Sequence, residues 1–396
     1  MKLSVEEKLL LSVVKLQPTV RELEYIDALI PLITDWNNLA DTLIARCSGP
    51  LLYIKLPLLS NATQIPSVIK SKLQQAYYKT LSRSMVLYDT FSKVVRAFTK
   101  AGLEQPIALK GIYLSEWLYE DIALRQFSDI DLLVRHEDGE KYLEVLNSMG
   151  FKPRKNIAAS SFIEAKSDFA HYPPMELNDI SIEIHIKLHY NSEKYKLSLD
   201  KIWENAISVV VNGVQVKSLQ VYDLIIHLCV HLDKHLKHGH LQFTSFNDVV
   251  NLLSKYADTL DWHEFIERCK LYNSELPVFN YLILINKYYH VVLPFYIIEN
   301  YKNQLSENDE ELFFKYLHGN EFKNESKTIV VRHWHSLKHL TTKSDFVKYL
   351  VDVLFPPKTF MLYKYSIKHA HWYWLWYPYR WGIGLKGFIQ LTLSAH

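Results

Sequence analysis

Apolar residues recur at helical spacing through the first hundred positions, as Leu9, Leu10, Val13 and Val14 and later as Met85, Tyr88, Phe91, Val94, Val95 and Phe98. Strand-like alternation is scarce there, so residues 1–100 are expected to form an N-terminal helical region. The pattern changes at Pro106. The short run Ile107-Ala108-Leu109 ends at Lys110-Gly111, and a helical spacing (Ile112, Leu114, Trp117, Leu118) begins at once, which predicts strand, glycine turn and helix. Asp129 to Val134 reads as a strand, Glu137 to Met149 as an amphipathic helix, and Gly150 as its stop. From Ile180 to His189 the chain alternates: Ile182, Ile184, Ile186 and Leu188 lie on one face, Glu183, His185 and His189 on the other. Asn212-Gly213 marks a hairpin turn within Val209 to Val216, and helical periodicity returns from Val221 onward. The expected organisation is a small α/β core at 101–218 between helical regions at 1–100 and 219–396.

Composition narrows the function classes. A hydrophobic content of 48% and only 11 glycines among 396 residues describe a folded globular chain. Lys plus Arg (45) nearly cancels Asp plus Glu (43), so the strong positive field of a dedicated duplex-binding protein is missing. Cys47, Cys229 and Cys269 are odd in number and far apart, which fits neither a disulfide framework nor a CxxC site and points to a reducing compartment. Charged residues interrupt the first seventeen positions, so a signal peptide is not expected. The longest apolar candidate, Tyr281 to Ile298, is broken by Lys287, His290 and Pro294 and reads as a buried helix rather than a membrane span. A cytoplasmic location is the expectation.

The chemistry concentrates between Lys110 and Glu183. Residues two apart on a strand share a face, so Asp129 and Asp131 present two carboxylates together, and Glu183 on a later strand adds a third. Three hard oxygen donors suit Mg2+ or Mn2+ bound together with substrate phosphates. The helix opening at Gly111 offers its first amides to those phosphates. Two nearby acids are usually only a solvated face, but here they interrupt an apolar strand, where unpaired charge is costly.

Together, Leu109-Lys110-Gly111, Arg125, Ser128-Asp129-Ile130-Asp131, Gly150-Phe151, Ile182-Glu183-Ile184-His185 and the run Leu228 to His235 resemble the polymerase-β-like nucleotidyltransferases. Within them the match is to the bacterial family called uncharacterised nucleotidyltransferase, over about residues 90–270. The resemblance implies an α+β fold, a small mixed-sheet nucleotidyltransferase core flanked by helical regions. It implies that Asp129, Asp131 and Glu183 bind the metal, with Glu183 also a candidate to deprotonate an acceptor hydroxyl, and that Lys110, Gly111 and Ser128 lie near the triphosphate of an NTP. Arg125 would either neutralise phosphate charge in the transition state or brace the loop that carries the two aspartates. Gly111-Ile112 stands where the superfamily has Gly-Ser, so one triphosphate contact is missing, and Lys110 or Ser115 would have to supply it.

Further residues are candidates for the wall of an acceptor cleft. His227, His231 and His235 recur every four residues, which places them along one helix face, without the glutamate of a zinc-hydrolase HExxH motif; His238 and His240 follow. His231, His235, Asp248 and the strand residue His185 are the expected wall, against the alternative that these histidines only join domains. After Asp352 the chain has no acid but carries Lys358, Lys364, Lys368, Arg380 and Lys386 among several tryptophans, a composition suited to a membrane interface, to base stacking or to covering a pocket. Packing of those aromatics into the body is the expected outcome. Lys152-Pro153-Arg154-Lys155 is a short basic run near the expected cleft.

Two function classes follow. One is a metal-dependent enzyme moving a nucleoside monophosphate from an NTP to a hydroxyl of a small molecule, glycan precursor or protein, with a toxin-like enzyme acting on tRNA as a variant. The other is a binding module of the same fold that has lost catalysis. Three retained carboxylates favour the first, and the missing Gly-Ser favours the second.

Overall fold

In the computed structural model, residues 3–154, 171–189, 195–237, 243–305, 307–318 and 370–382 are described, with isolated positions between 347 and 367. The N-terminal region forms α1 (Val5–Ser12), α2 (Val20–Leu29), α3 (Trp36–Ala45), α4 (Gly49–Tyr53) and the long α5 (Ser67–Lys100). Capping boxes start the first two helices: Ser4 pairs with Glu7, and Thr19 with Glu22. The α5 stripe of Leu87, Phe91, Val94, Val95 and Phe98 is buried, but Met85 is 59% exposed and lies outside it.

Among the described residues, seven strands and three helices make the core. They are β1 (Ile107–Ala108), α6 (Lys110–Trp117), β2 (Asp129–Leu133), α7 (Gly139–Ser148), β3 (Lys152–Pro153), β4 (Met175–Leu177), β5 (Ile180–His185), α8 (Leu199–Asn205), β6 (Ile207–Val211) and β7 (Val214–Ser218). The sheet order is β3-β4-β5-β2-β1-β7-β6. It is mixed, because β2 pairs with β5 and β1 with β7 in parallel while the remaining neighbours are antiparallel. Alternation puts Ile130, Leu132, Ile182 and Ile184 in the core and Asp129, Asp131 and Glu183 on the opposite face. Asn212 (φ 45°) and Gly213 (φ 73°) both take the left-handed conformation that a two-residue hairpin loop needs.

Strand β5 ends at His185, four residues short of the alternating pattern. The reason is its partner: Val134 donates its amide to the His185 carbonyl at 2.8 Å, and β2 offers no residues beyond that point. Freed from the sheet, His189 meets His227 instead, with ring nitrogens 3.3 Å apart.

Beyond the sheet come α9 (Val221–Lys237), α10 (Phe243–Tyr256), α11 (Trp262–Leu271), α12 (Glu275–Tyr289), α13 (Phe295–Tyr301) and α14 (Glu307–His318). The segment read as one apolar helix is two, because His290 adopts φ 54° at the end of α12 and Pro294 precedes α13. No helix among the described residues is long and apolar enough to cross a membrane. The N-terminal helices return to this region: Asn251 on α10 accepts the Leu16 amide at 2.8 Å, and its own amide bonds the Val14 carbonyl at 3.2 Å. One continuous apolar cluster therefore runs from Leu9 to Leu317. The aromatic tail departs from expectation, since Trp372, Trp374 and Trp381 are 50, 54 and 40% exposed. Trp381 and Tyr377 bond within the tail, to the carbonyls of Leu354 and Pro356.

Candidate active site

The turn between β1 and α6 is built differently from a glycine-first phosphate loop. Its left-handed residue is Lys110 (φ 44°), not Gly111. A lysine held there costs about 1–3 kcal/mol, and such outliers cluster where a side chain must be aimed. Gly111 is required for another reason: a Cβ there would stand 2.7 Å from Cβ of Phe127, an atom too close to its backbone to yield. The glycine thus lets the loop carrying the two aspartates close over the start of α6.

Parallel pairing of β2 with β5 sets Asp131 directly opposite Glu183, so the third carboxylate shares the face of the other two. Around Asp131 the contacts are tight. Lys110 Nζ lies 3.3 Å from Oδ2, and His185 Nε2 lies 2.8 Å from Oδ1. Burial alone would raise the proton affinity of Asp131, but Lys110 and the His185 hydrogen bond outweigh it and hold the carboxyl well below the usual range. Its neighbours behave oppositely. Burial, reinforced by the Asp131 charge, raises Asp129 above the ordinary carboxylate value and pushes Glu183 up to about 8. Lys110 contacts Asp131 directly, while burial and the neighbouring carboxylate charge keep the other two from ionising readily. Asp131, Glu183 and His185 each offer a donor atom within 4.8 Å of the others, which fits a divalent cation.

These groups open onto a cleft of about 470 Å³. Lys110, Gly111, Ser128 and the acids line one side, and His231, His235 and residues 243–245 line another. His231 and His235 face each other through Nε2 atoms 3.0 Å apart, so one donates to the other. Burial, aided by the Lys110 charge, keeps His231 well below the usual imidazole value. Arg125 reaches the cleft lining but its guanidinium is engaged: Nε and Nη2 donate to both oxygens of Asp248 at 2.8 and 2.6 Å. Tyr119 donates to the same carboxylate at 3.0 Å. The Arg125 guanidinium is thus committed to Asp248, which is fully buried and is not among the residues that line the cleft.

Ser115 is also displaced from expectation. It lies fully buried on α6 with no place in the cleft lining, and Ile112 is buried too, so of Lys110 and Ser115 only Lys110 lines the cleft. His238, His240 and Lys155 lie outside the described residues. Arg154 turns to the sheet edge, pairing with Glu176 and reaching Ser181 Oγ at 3.3 Å.

Sequence reasoning missed several lining residues, three ionisable ones among them. Arg46 and Cys47, from the link between α3 and α4, line the cleft, and the Arg46 guanidinium lies 4.9 Å from the Phe243 ring centroid. His171 also lines it, 4.0 Å from Glu183. None of these sits in a periodic segment near the motifs, so no local pattern marks them; only the strained φ of 58° at Cys47 sets that turn apart in the structure.

A strand-turn-helix unit, a two-aspartate strand and a third acid in parallel register define the class as nucleotidyltransferase-like. The family model described as uncharacterised nucleotidyltransferase matches residues 33–290, and the chain belongs to that family. No curated protein and no solved structure matches.

Proposed function

We propose that this chain moves a nucleoside monophosphate from an NTP to an acceptor hydroxyl, releasing pyrophosphate, at a divalent-metal centre on Asp129, Asp131 and Glu183. The observation that carries this reading is the parallel register that sets Glu183 opposite Asp131, beside the Lys110 turn. A bound divalent cation would supply charge neutralisation for the phosphates and relieve the crowding of the acids. The chain's own part is positioning. Lys110, held at a strained φ, aims an ammonium into the phosphate region, and the first turn of α6 presents amides there. Glu183 is held protonated by burial and by the neighbouring carboxylates in the metal-free site; a cation that offsets those charges would leave it ionised and able to take the hydroxyl proton. The acceptor, a small molecule, glycan precursor or protein, would sit between the sheet and α9.

Calorimetric titration with ATP, GTP, CTP and UTP tests the reading. At least one NTP is expected to bind with Mg2+ or Mn2+ and to weaken by about tenfold or more when the cation is chelated. Binding of none sinks it in favour of the non-catalytic module, the alternative that buried Ile112 and Ser115 support by offering no side-chain hydroxyl at that turn.

The His231 and His235 pair separates acceptor binding from NTP binding. Replacing each with alanine is expected to raise the acceptor KM by about tenfold while NTP affinity stays within about twofold. Equal loss of both, with a lower melting temperature, assigns the pair to domain packing instead.

A further inference from the structure

The donor set at the centre is not all oxygen. His185 stands two residues beyond Glu183 on β5 and so shares its face, and the residue is 5% exposed. Its Nε2 points at two of the acids, 2.8 Å from Asp131 Oδ1 and 3.7 Å from Glu183 Oε2. Ligands at ~2.1 Å from a metal and at right angles to one another lie ~3.0 Å apart, and wider angles carry them toward ~4 Å. The 3.7 Å separation falls in that span, and the 2.8 Å separation lies just under its lower end. One N–H can serve only one of two carboxylates, so as a hydrogen-bond donor His185 leaves Glu183 unanswered. On the far side of the ring, Nδ1 is buried with no partner, and nothing there fixes the tautomer. A proton moved to Nδ1 frees the Nε2 lone pair for a metal, at the cost of a buried N–H without an acceptor that the metal–nitrogen bond would have to exceed.

Resting on the reading that these acids hold a divalent cation, we infer that His185 supplies a nitrogen ligand to it, making a mixed nitrogen and oxygen centre that prefers a first-row transition dication to Mg2+. Imidazole is a softer donor than carboxylate, and Mg2+, which favours oxygen and keeps its waters, gains least from it. His171, with Nε2 4.0 Å from Glu183 and Nδ1 2.8 Å from the Tyr172 carbonyl, is the neighbouring imidazole against which the assignment must be checked.

The test uses the full chain loaded with Mn2+ alone and read by pulsed electron paramagnetic resonance, with histidine labelled with 14N or 15N. A directly bound imidazole nitrogen is expected in the native protein and absent in His185→Gln, whose amide can still donate to Asp131. In the same variant the preference for Mn2+ over Mg2+, measured by competition, is expected to fall by about tenfold. Mn2+ bound without any nitrogen coupling overturns the inference and leaves the metal-centre reading standing. Coupling that survives in His185→Gln but vanishes in His171→Gln overturns it by moving the ligand. No Mn2+ binding in either protein overturns both readings together.

Discussion

Replacing Asp248 with alanine is expected to destabilise the protein by about 3–5 kcal/mol, the range for removing one partner of a buried ion pair. Arg125 and Asp248 are 5 and 0% exposed, so neither charge has water to turn to once the other is gone. The variant strands a guanidinium and also takes the acceptor from Tyr119. Replacing both partners, as Arg125→Met with Asp248→Leu, is expected to recover most of the loss, because the desolvation penalty leaves with the charges. Urea unfolding of the single and double variants measures this directly; a single variant within about 1 kcal/mol of the native protein would show the pair to be solvated. Activity is expected to fall in the double variant even where stability returns. Arg125 opens the segment that runs through Phe127 and Ser128 to Asp129, and its bond to α10 fixes that segment over Gly111.

The two-aspartate strand was legible in the sequence because its physics is local. Acids at alternate positions of an apolar strand, a glycine ahead of a helical spacing, and Ile182-Glu183-Ile184 in strict alternation each leave a short-range mark. The register that joins Asp131 to Glu183 spans 52 positions and leaves none. Nor does the choice of Lys110 as the left-handed residue, since glycine is the residue a sequence pattern nominates for that conformation. The partner of Arg125 left no mark near it in the sequence either. That partner is Asp248, 123 residues away, and an acid on a helix reads the same in sequence whether it faces water or a guanidinium. Arg46 entered the cleft for the same reason: the N-terminal helices fold back to α10 through Asn251, a contact across 235 positions.

The three carboxylates are expected to behave alike in catalysis and oppositely in stability. Asp129→Asn, Asp131→Asn and Glu183→Gln should each lower transfer by about a thousandfold or more, since each removes an anionic donor from one metal centre. Their stabilities in chelator diverge because their proton affinities do. Glu183 is raised from 4.5 to about 8 by burial and by Asp131 and Asp129. A raised group contributes stability that is complete below its unfolded value and lost as pH rises through its folded value, so the metal-free protein should weaken between those limits. Glu183→Gln abolishes that loss and is expected to be more stable than the native chain at about pH 8, by about 1–3 kcal/mol. Asp131 is held well below 3.8 by Lys110 and His185, despite its burial. Its contribution is present above 3.8 and disappears as pH falls below it, so Asp131→Asn should be less stable than the native chain at about pH 8, by a comparable amount. Adding a divalent cation should restore the native protein at high pH and leave Glu183→Gln nearly unmoved. Urea unfolding at about pH 5 and about pH 8, with chelator and with Mn2+, separates these cases. If Glu183→Gln and Asp131→Asn lose stability together at the higher pH, Glu183 is paired in the metal-free protein and the charge imbalance that calls for a cation is not there.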